Sequence, residues 1–203
     1  MQIFFIFAEL KTQYMKRILT LMLLCIPMLA LAGVPEGKPR HQVSIGWGDM
    51  LFETLVFHPG TLEKVPRTDY GYTGHIFGEY SYRLNKVVCL GAQVDFEGIF
   101  WKEGGAPVNN YNLIALPTIR FIYFERPWVS FYSSVGLGAI MAFDNSGAKE
   151  FAPAGNMNFF SVQVGKGHWS GTFSLGALTA VKNANAVYMV GSRIFSLSLN
   201  YAW

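Results

Sequence analysis

The stretch that most constrains this chain is VVCLGAQVDFEGIFWK, residues 87–102. On an extended backbone successive side chains point to opposite faces. Val88, Leu90, Ala92, Val94, Phe96 and Phe100 then share one face, and Cys89, Gly91, Gln93, Asp95 and Glu97 share the other. Strict alternation marks a strand with one apolar side. Here it runs from Val88 to Phe100, whereas strands of soluble proteins are most often about five or six residues long. A strand of this length, greasy on one face and charged on the other, fits a membrane better than a soluble sheet.

The pattern recurs. Phe195, Leu197, Leu199, Tyr201 and Trp203 oppose Ser196, Ser198, Asn200 and Ala202 in the final segment, SRIFSLSLNYAW. In WVSFYSSVGLGAIMAF, residues 128–143, Val129, Phe131, Val135, Leu137, Met141 and Phe143 oppose Ser130, Tyr132, Ser134, Gly136 and Gly138. Residues 72–83 set Tyr72, Ile76, Tyr80 and Tyr82 against His75, Glu79, Ser81 and Arg83. Segments 41–49, 113–125, 157–166 and 171–181 are less regular; in 113–125, Arg120 is assigned to the polar side although Ile114, Leu116 and Ile122 share its parity. The total is eight strands, each near the roughly 9–11 residues of a tilted membrane strand, and bacterial barrels use even numbers. Helical periodicity is absent. Past residue 32 no run approaches the about 18 apolar residues that a membrane helix needs.

The first thirty-two residues read as a secretory signal. Lys16 and Arg17 precede an apolar run that ends in Ala30-Leu31-Ala32 before Gly33, the layout of a cleavable leader. Residues 1–14 are awkward for a signal and read as an overlong gene start, with translation from Met15. Cys25 lies in the apolar run, but Leu24 before it lacks the small side chain of a lipoprotein signal. Cleavage after Ala32 leaves residues 33–203 as one barrel domain. It leaves 13 Lys+Arg of the chain's 16 and 12 Asp+Glu of its 13, a net charge of +1. The remaining cysteine is Cys89, so no intrachain disulfide forms. Only 14% of the chain is charged, against roughly 25% in ordinary soluble domains, and without a basic run or motif nucleic-acid binding is not expected.

Backbone polar groups in hydrocarbon must be satisfied within the protein, so strands span a bilayer only as a closed barrel. The connections sort by length. Residues 84–86, 125–127 and 166–170 form short turns on one side, while 50–71, 103–112, 144–156 and the briefer 182–187 lie on the other. Short turns face the periplasm in outer-membrane barrels. The fold class is thus all-β: a membrane-spanning, antiparallel, up-and-down barrel of eight strands. At that size the interior is just wide enough for side chains to fill it, so a filled lumen is expected and an open pore is not. Aromatic residues collect near strand ends, as membrane interfaces favour: Tyr80, Tyr82, Tyr123, Trp128, Tyr201 and Trp203 on the short-turn side, Trp47, Tyr72 and Trp101 on the other.

In layout and in its last strand the chain resembles the small eight-stranded outer-membrane barrels of the OmpA/OmpX type, over the whole of residues 33–203. In that family the closing strand is read by the barrel assembly machinery. The resemblance implies that Phe195, Leu197, Leu199, Tyr201 and Trp203 form the assembly signal, with Trp in place of the more usual terminal Phe. It implies residence in the outer membrane of a Gram-negative cell, among its lipids and lipopolysaccharide.

For the interior, a three-residue turn at 84–86 sets His75 opposite Asp95, with Glu79 and Arg120 at similar depth. Glu79, Asp95, Glu97, Arg120 and His75 are therefore expected to form a charge network in the lumen. Intramembrane charges are functional candidates, here for a proton or ion path, but paired charges filling a narrow barrel are the favoured reading. GHWSG contains His168-x-Ser170, as in barrel-type lipid A deacylases. No Asp or Glu follows Ser170 and the motif falls in a short turn, so His168 and Trp169 are read as interfacial anchors. His41, His58, His75 and His168 lack metal-ligand spacing; Glu53, Glu63 and Asp69, flanked by His58 and His75, are the weak candidate for a surface cation site. No cofactor or catalytic residue is expected. The expected role is structural or surface-interacting in a monomer, with residues 50–71 as a cap or a surface-ligand contact. A lipid-modifying enzyme and a narrow channel or transporter are the alternatives.

Overall fold

A computed structural model describes residues 38–49, 56–57, 70–103, 105–145, 147, 149–180, 190–191 and 193–203. The signal-peptide reading of residues 1–32, most of loop 50–71 and the cation-site candidates Glu53, His58, Glu63 and Asp69 lie outside the described residues. The strands are β1 His41–Asp49, β2 Val56–Phe57, β3 Tyr70–Tyr72, β4 His75–Arg83, β5 Val88–Glu103, β6 Ala106–Glu125, β7 Val129–Asp144, β8 Lys149–Lys166, β9 Trp169–Ala180, β10 Val190–Gly191 and β11 Arg193–Ala202.

Every long strand pairs antiparallel with its sequence neighbour, and β1 pairs with both β4 and β11. The sheet thereby closes. β3 and β4 together form one wall against β5, so the barrel has eight walls. Closure removes the free edges that an open sheet would expose. Residues Val56–Phe57 and Val190–Gly191 pair as a separate two-stranded sheet, which ties the first long connection to the last.

Alternation sends the large apolar side chains outward. Ile45 is 64% exposed, Leu137 74%, Val94 47% and Leu197 52%. Asp95 and Glu97, which alternate with the outward Val94 and Phe96 on β5, are fully buried in the lumen. The exterior is therefore the more apolar surface and the axis the more polar, the inverse of a soluble barrel.

Three expectations change. The connections placed at 103–112 and 144–156 are largely strand: β5 turns into β6 through residues 104–105, and β7 into β8 through 145–148. Period-2 alternation weakens in those stretches because pairs such as Lys102↔Pro107 and Phe143↔Lys149 lie near the hairpin tips, where neither face needs a constant polarity. Second, the turn after β4 is longer than three residues. Leu84 and Asn85 both donate backbone N–H to the carbonyl of Val88, and Asn85 Oδ1 accepts from Val87 and Val88 N–H at 2.8 Å. The register becomes Arg83↔Cys89 and Phe77↔Asp95. That shift of two residues keeps each face but moves His75 beside Glu97 instead of Asp95.

Third, a bulge at Thr73–Gly74 separates Tyr72↔Ile99 from Ile76↔Phe96. Gly74 has φ 72°, and a Cβ there would collide with the indole of Trp47. The extra residue reverses parity, so Tyr72 turns inward and leaves the long-loop girdle assigned to it. Trp101 shares the inward parity of Glu97 and Ile99. Trp47 stays on the outer face at that end, edge-on to Phe195, and the other aromatic contacts there are Phe96–Tyr111, Phe100–Tyr111 and Tyr111–Phe143, all with ring centroids 5.6–6.0 Å apart.

Candidate functional site: the lumen and its short-turn mouth

Two ion pairs and one histidine–carboxylate contact lie in the lumen. Arg193 donates to Asp95 at 2.6 Å, Arg120 to Glu79 at 3.1 Å, and His75 Nε2 lies 3.3 Å from Glu97. Asp95 also accepts from Gln93 at 2.6 Å, and Gln93 accepts from Asn156 at 3.2 Å. The chain Asn156–Gln93–Asp95–Arg193 thus reaches from the β8 wall to β11 and bars the axis. Glu97 accepts from Asn112 at 2.6 Å and from the Tyr72 hydroxyl at 3.0 Å. A buried carboxylate is tolerated only when charge and hydrogen bonds replace its lost water, and these partners do so.

Glu79, Asp95, Glu97, Arg120 and His75 all face the lumen, but the bonds given for them form three separate groups, Arg120–Glu79, Arg193–Asp95–Gln93–Asn156 and His75, Asn112 and Tyr72 on Glu97, and Arg193 is the cation that the expected network lacked. Parity hides Arg193, since residue 193 shares the parity of the outward-facing Phe195. A bulge between Arg193 and Phe195 turns it inward. Its guanidinium then stacks over Phe77, 4.8 Å from the ring centroid. Gly46 makes the room, because a Cβ there would collide with the Phe77 ring.

Small and polar side chains do not fill the rest. Ile114, Leu116, Ile140, Ala154 and Leu178 form an apolar cluster inside the barrel. Ile114 and Leu116 share the parity of Arg120 because all three face the lumen. Above Arg120 the apolar cluster packs the β6–β9 side, while the ion pairs hold the β4, β5 and β11 side.

Towards the short turns the lumen opens into a cavity of about 130 Å³. Arg83 grips Glu125 with two hydrogen bonds, 3.0 and 2.8 Å, and Lys38 lies 3.6 Å from the same carboxylate. Glu125 ends β6 beyond Tyr123, outside the apolar belt. Burial raises its carboxyl, but the Arg83 hydrogen bonds and charge, with Lys38 beside them, outweigh this and hold it below the usual glutamate range. The stability this grip supplies is complete above that range and is lost as pH falls through the depressed value. Wild-type protein should lose stability on acidification through this window while Glu125→Gln does not. Parallel pH profiles would remove Glu125 from the account.

The six short-turn aromatics lie at that end: Tyr80, Tyr123, Trp128, Tyr201 and Trp203 are exposed and Tyr82 is half-buried. His41 stacks on Trp203 at 5.5 Å. Of the assembly-signal residues, Leu197, Leu199, Tyr201 and Trp203 are exposed on the outer face and Phe195 is half-buried. His168 and Ser170 do not form a nucleophile pair. His168 Nδ1 bonds the Ala202 carbonyl at 2.7 Å, whereas the Ser170 hydroxyl accepts from Gln163 at 2.7 Å and from Asn200 at 3.2 Å. Among the described residues no three His, Cys, Asp or Glu side chains cluster as metal ligands do.

An apolar exterior around a closed eight-walled barrel with a packed, ion-paired interior defines the class: this is the fold of the small eight-stranded outer-membrane β-barrels. Ail, the attachment invasion locus protein of Yersinia pestis, has it too: 13% identity, TM-score 0.51, covering 82% of this chain and 99% of that one. Ail in complex with the heparin analogue sucrose octasulfate matches at 14% identity and TM-score 0.50, covering 82% and 99%. The N-terminal β-barrel domain of Pseudomonas aeruginosa OprF matches at 12% identity and TM-score 0.47, covering 83% and 100%. No protein-family model and no curated protein sequence matches the chain.

Proposed function

We propose that the chain is an integral outer-membrane barrel with a structural or surface-interaction role, in which contacts are made by the long-loop end and nothing passes through the lumen. The observation that carries this reading is the contrast of surfaces: a belt including Ile45, Val94, Leu137 and Leu197 outside, and the Asn156–Gln93–Asp95–Arg193 chain across the axis within. Water would be a poor solvent for the first, and the second obstructs an ion path. In this reading the outer-membrane lipids and lipopolysaccharide solvate the belt, and the barrel assembly machinery reads the β11 row from Phe195 to Trp203. Residues 50–71, tied to the last long connection through β2 and β10, offer the surface for a ligand. Ail is by name an attachment protein, but the likeness to it is one of fold, so no ligand is carried over.

The test has two readouts. Protein from the outer-membrane fraction should migrate differently in electrophoresis with and without boiling, and the unboiled form should give no conductance steps in planar bilayers. Discrete channels would overturn the sealed lumen; release from membranes without detergent would overturn the membrane barrel.

A further inference from the structure

The cavity at the short-turn mouth has a composition that the closed lumen does not require. Its lining carries Lys38, Arg40, Arg83, Arg120 and Arg126 against the carboxylate of Glu125. Counting Glu79, which pairs with Arg120 from outside the lining, five cations face two carboxylates, and three positive charges remain. Deeper in the lumen the buried guanidinium of Arg193 is matched by Asp95, whereas Arg40 and Arg126, exposed at the rim, have no carboxylate partner among the described residues. The mouth is the exception.

Three further features point to an anion. The cavity, at about 130 Å³, is well above the roughly 10–15 Å³ that one water occupies by the same measure. It therefore has room for a small oxyanion with part of its hydration shell. Second, Arg120 contributes to its wall with a side chain 5% exposed; its Nη2 is engaged by Glu79, but its buried Nε–H has no hydrogen-bond partner among the described residues. An unsatisfied buried donor costs about 1–3 kcal/mol, and an oxyanion reaching it would recover that. Third, the barrel walls are of low dielectric, and clefts of one charge sign between such walls concentrate counter-ions.

We propose that the short-turn mouth is a binding site for a phosphate-type oxyanion, held by the rim cations Lys38, Arg40 and Arg126 above Arg120. Guanidinium groups suit this ligand because their planar fork matches paired oxygens. The two sources of the chemistry are soluble phosphate or phosphomonoesters and the headgroups of anionic phospholipids. The site does not depend on any role of the long loops, so it can fail while the function proposed above stands.

The experiment uses the chain purified from membranes into neutral maltoside micelles, titrated calorimetrically with inorganic phosphate and, separately, with phosphatidylglycerol. Saturable binding of either probe is expected, weakened at least tenfold in a Lys38→Gln/Arg40→Gln/Arg126→Gln variant. Arg40 and Arg126 make no ion pair among the described residues, Lys38 is the second, partly exposed cation on Glu125, and heat-modified migration of the variant verifies its fold. Competition assigns the source: phosphate alone binding points to soluble ligands, and displacement of phosphate by phosphatidylglycerol points to headgroups. Binding of neither probe, or binding that the triple variant leaves unchanged, overturns the site.

Discussion

Replacing Arg193 by Met is expected to destabilise the folded barrel by about 3–5 kcal/mol, the cost of leaving one buried partner of an ion pair uncompensated. Asp95 has no exposed surface, so water cannot take over from the guanidinium, and Gln93 is left as its hydrogen-bond donor among those described. The hydrophobic stem of Met still covers Phe77, which separates the charge effect from lost packing. Adding Asp95→Asn to Arg193→Met should restore most of the loss, because no ion is then left alone. Arg120→Met should lower stability less, since Glu79 retains 13% side-chain exposure. Denaturant unfolding in micelles measures all three against wild type. An Arg193→Met protein within about 0.5 kcal/mol of wild type, the range of ordinary surface changes, would show that this pair is not enclosed.

Val94→Arg should prevent or strongly impair insertion. Val94 is 47% exposed on the outer face midway along β5, where an Arg near the bilayer midplane costs about 2–4 kcal/mol. Position 94 lies outside the β11 row, so any defect is one of solvation and not of recognition during assembly. The measurement is folding into lipid vesicles followed by unboiled electrophoresis, with Val94→Ile as the control. A soluble barrel would accept Arg there at almost no cost, so normal folding of Val94→Arg would contradict the membrane reading directly.

Some of this architecture is written in local alternation. Val88 to Glu97 carries its own instruction, because each residue's face follows from counting by two along an extended backbone. The same counting places Glu79, Asp95 and Glu97 on the interior surface, while Arg120 is assigned there by its charge, against the apolar residues that share its parity. It fails at bulges. Tyr72 changes face because one extra residue follows it, and Arg193 because the β9–β11 register slips by one between it and Phe195; such a slip has no period to reveal it. The partners of Asp95 and Glu97 also escaped, because the turn after Arg83 is set by the Asn85 side chain and not by its apparent length. Leu116 and Ile114 could be read as a warning of an apolar lumen, since they share a parity with Arg120. Their cluster with Ile140, Ala154 and Leu178 depends on how four consecutive strands, β6 to β9, curve around one space.

By itself, then, the sequence determined that the chain forms long strands with one greasy and one polar side, since side-chain direction is a property of the individual backbone. Only the tertiary structure decided which charge meets which, where the lumen is apolar, and that cations gather unmatched at one mouth. Those outcomes depend on register and closure, and register is settled between strands, by turns and bulges that no single strand encodes.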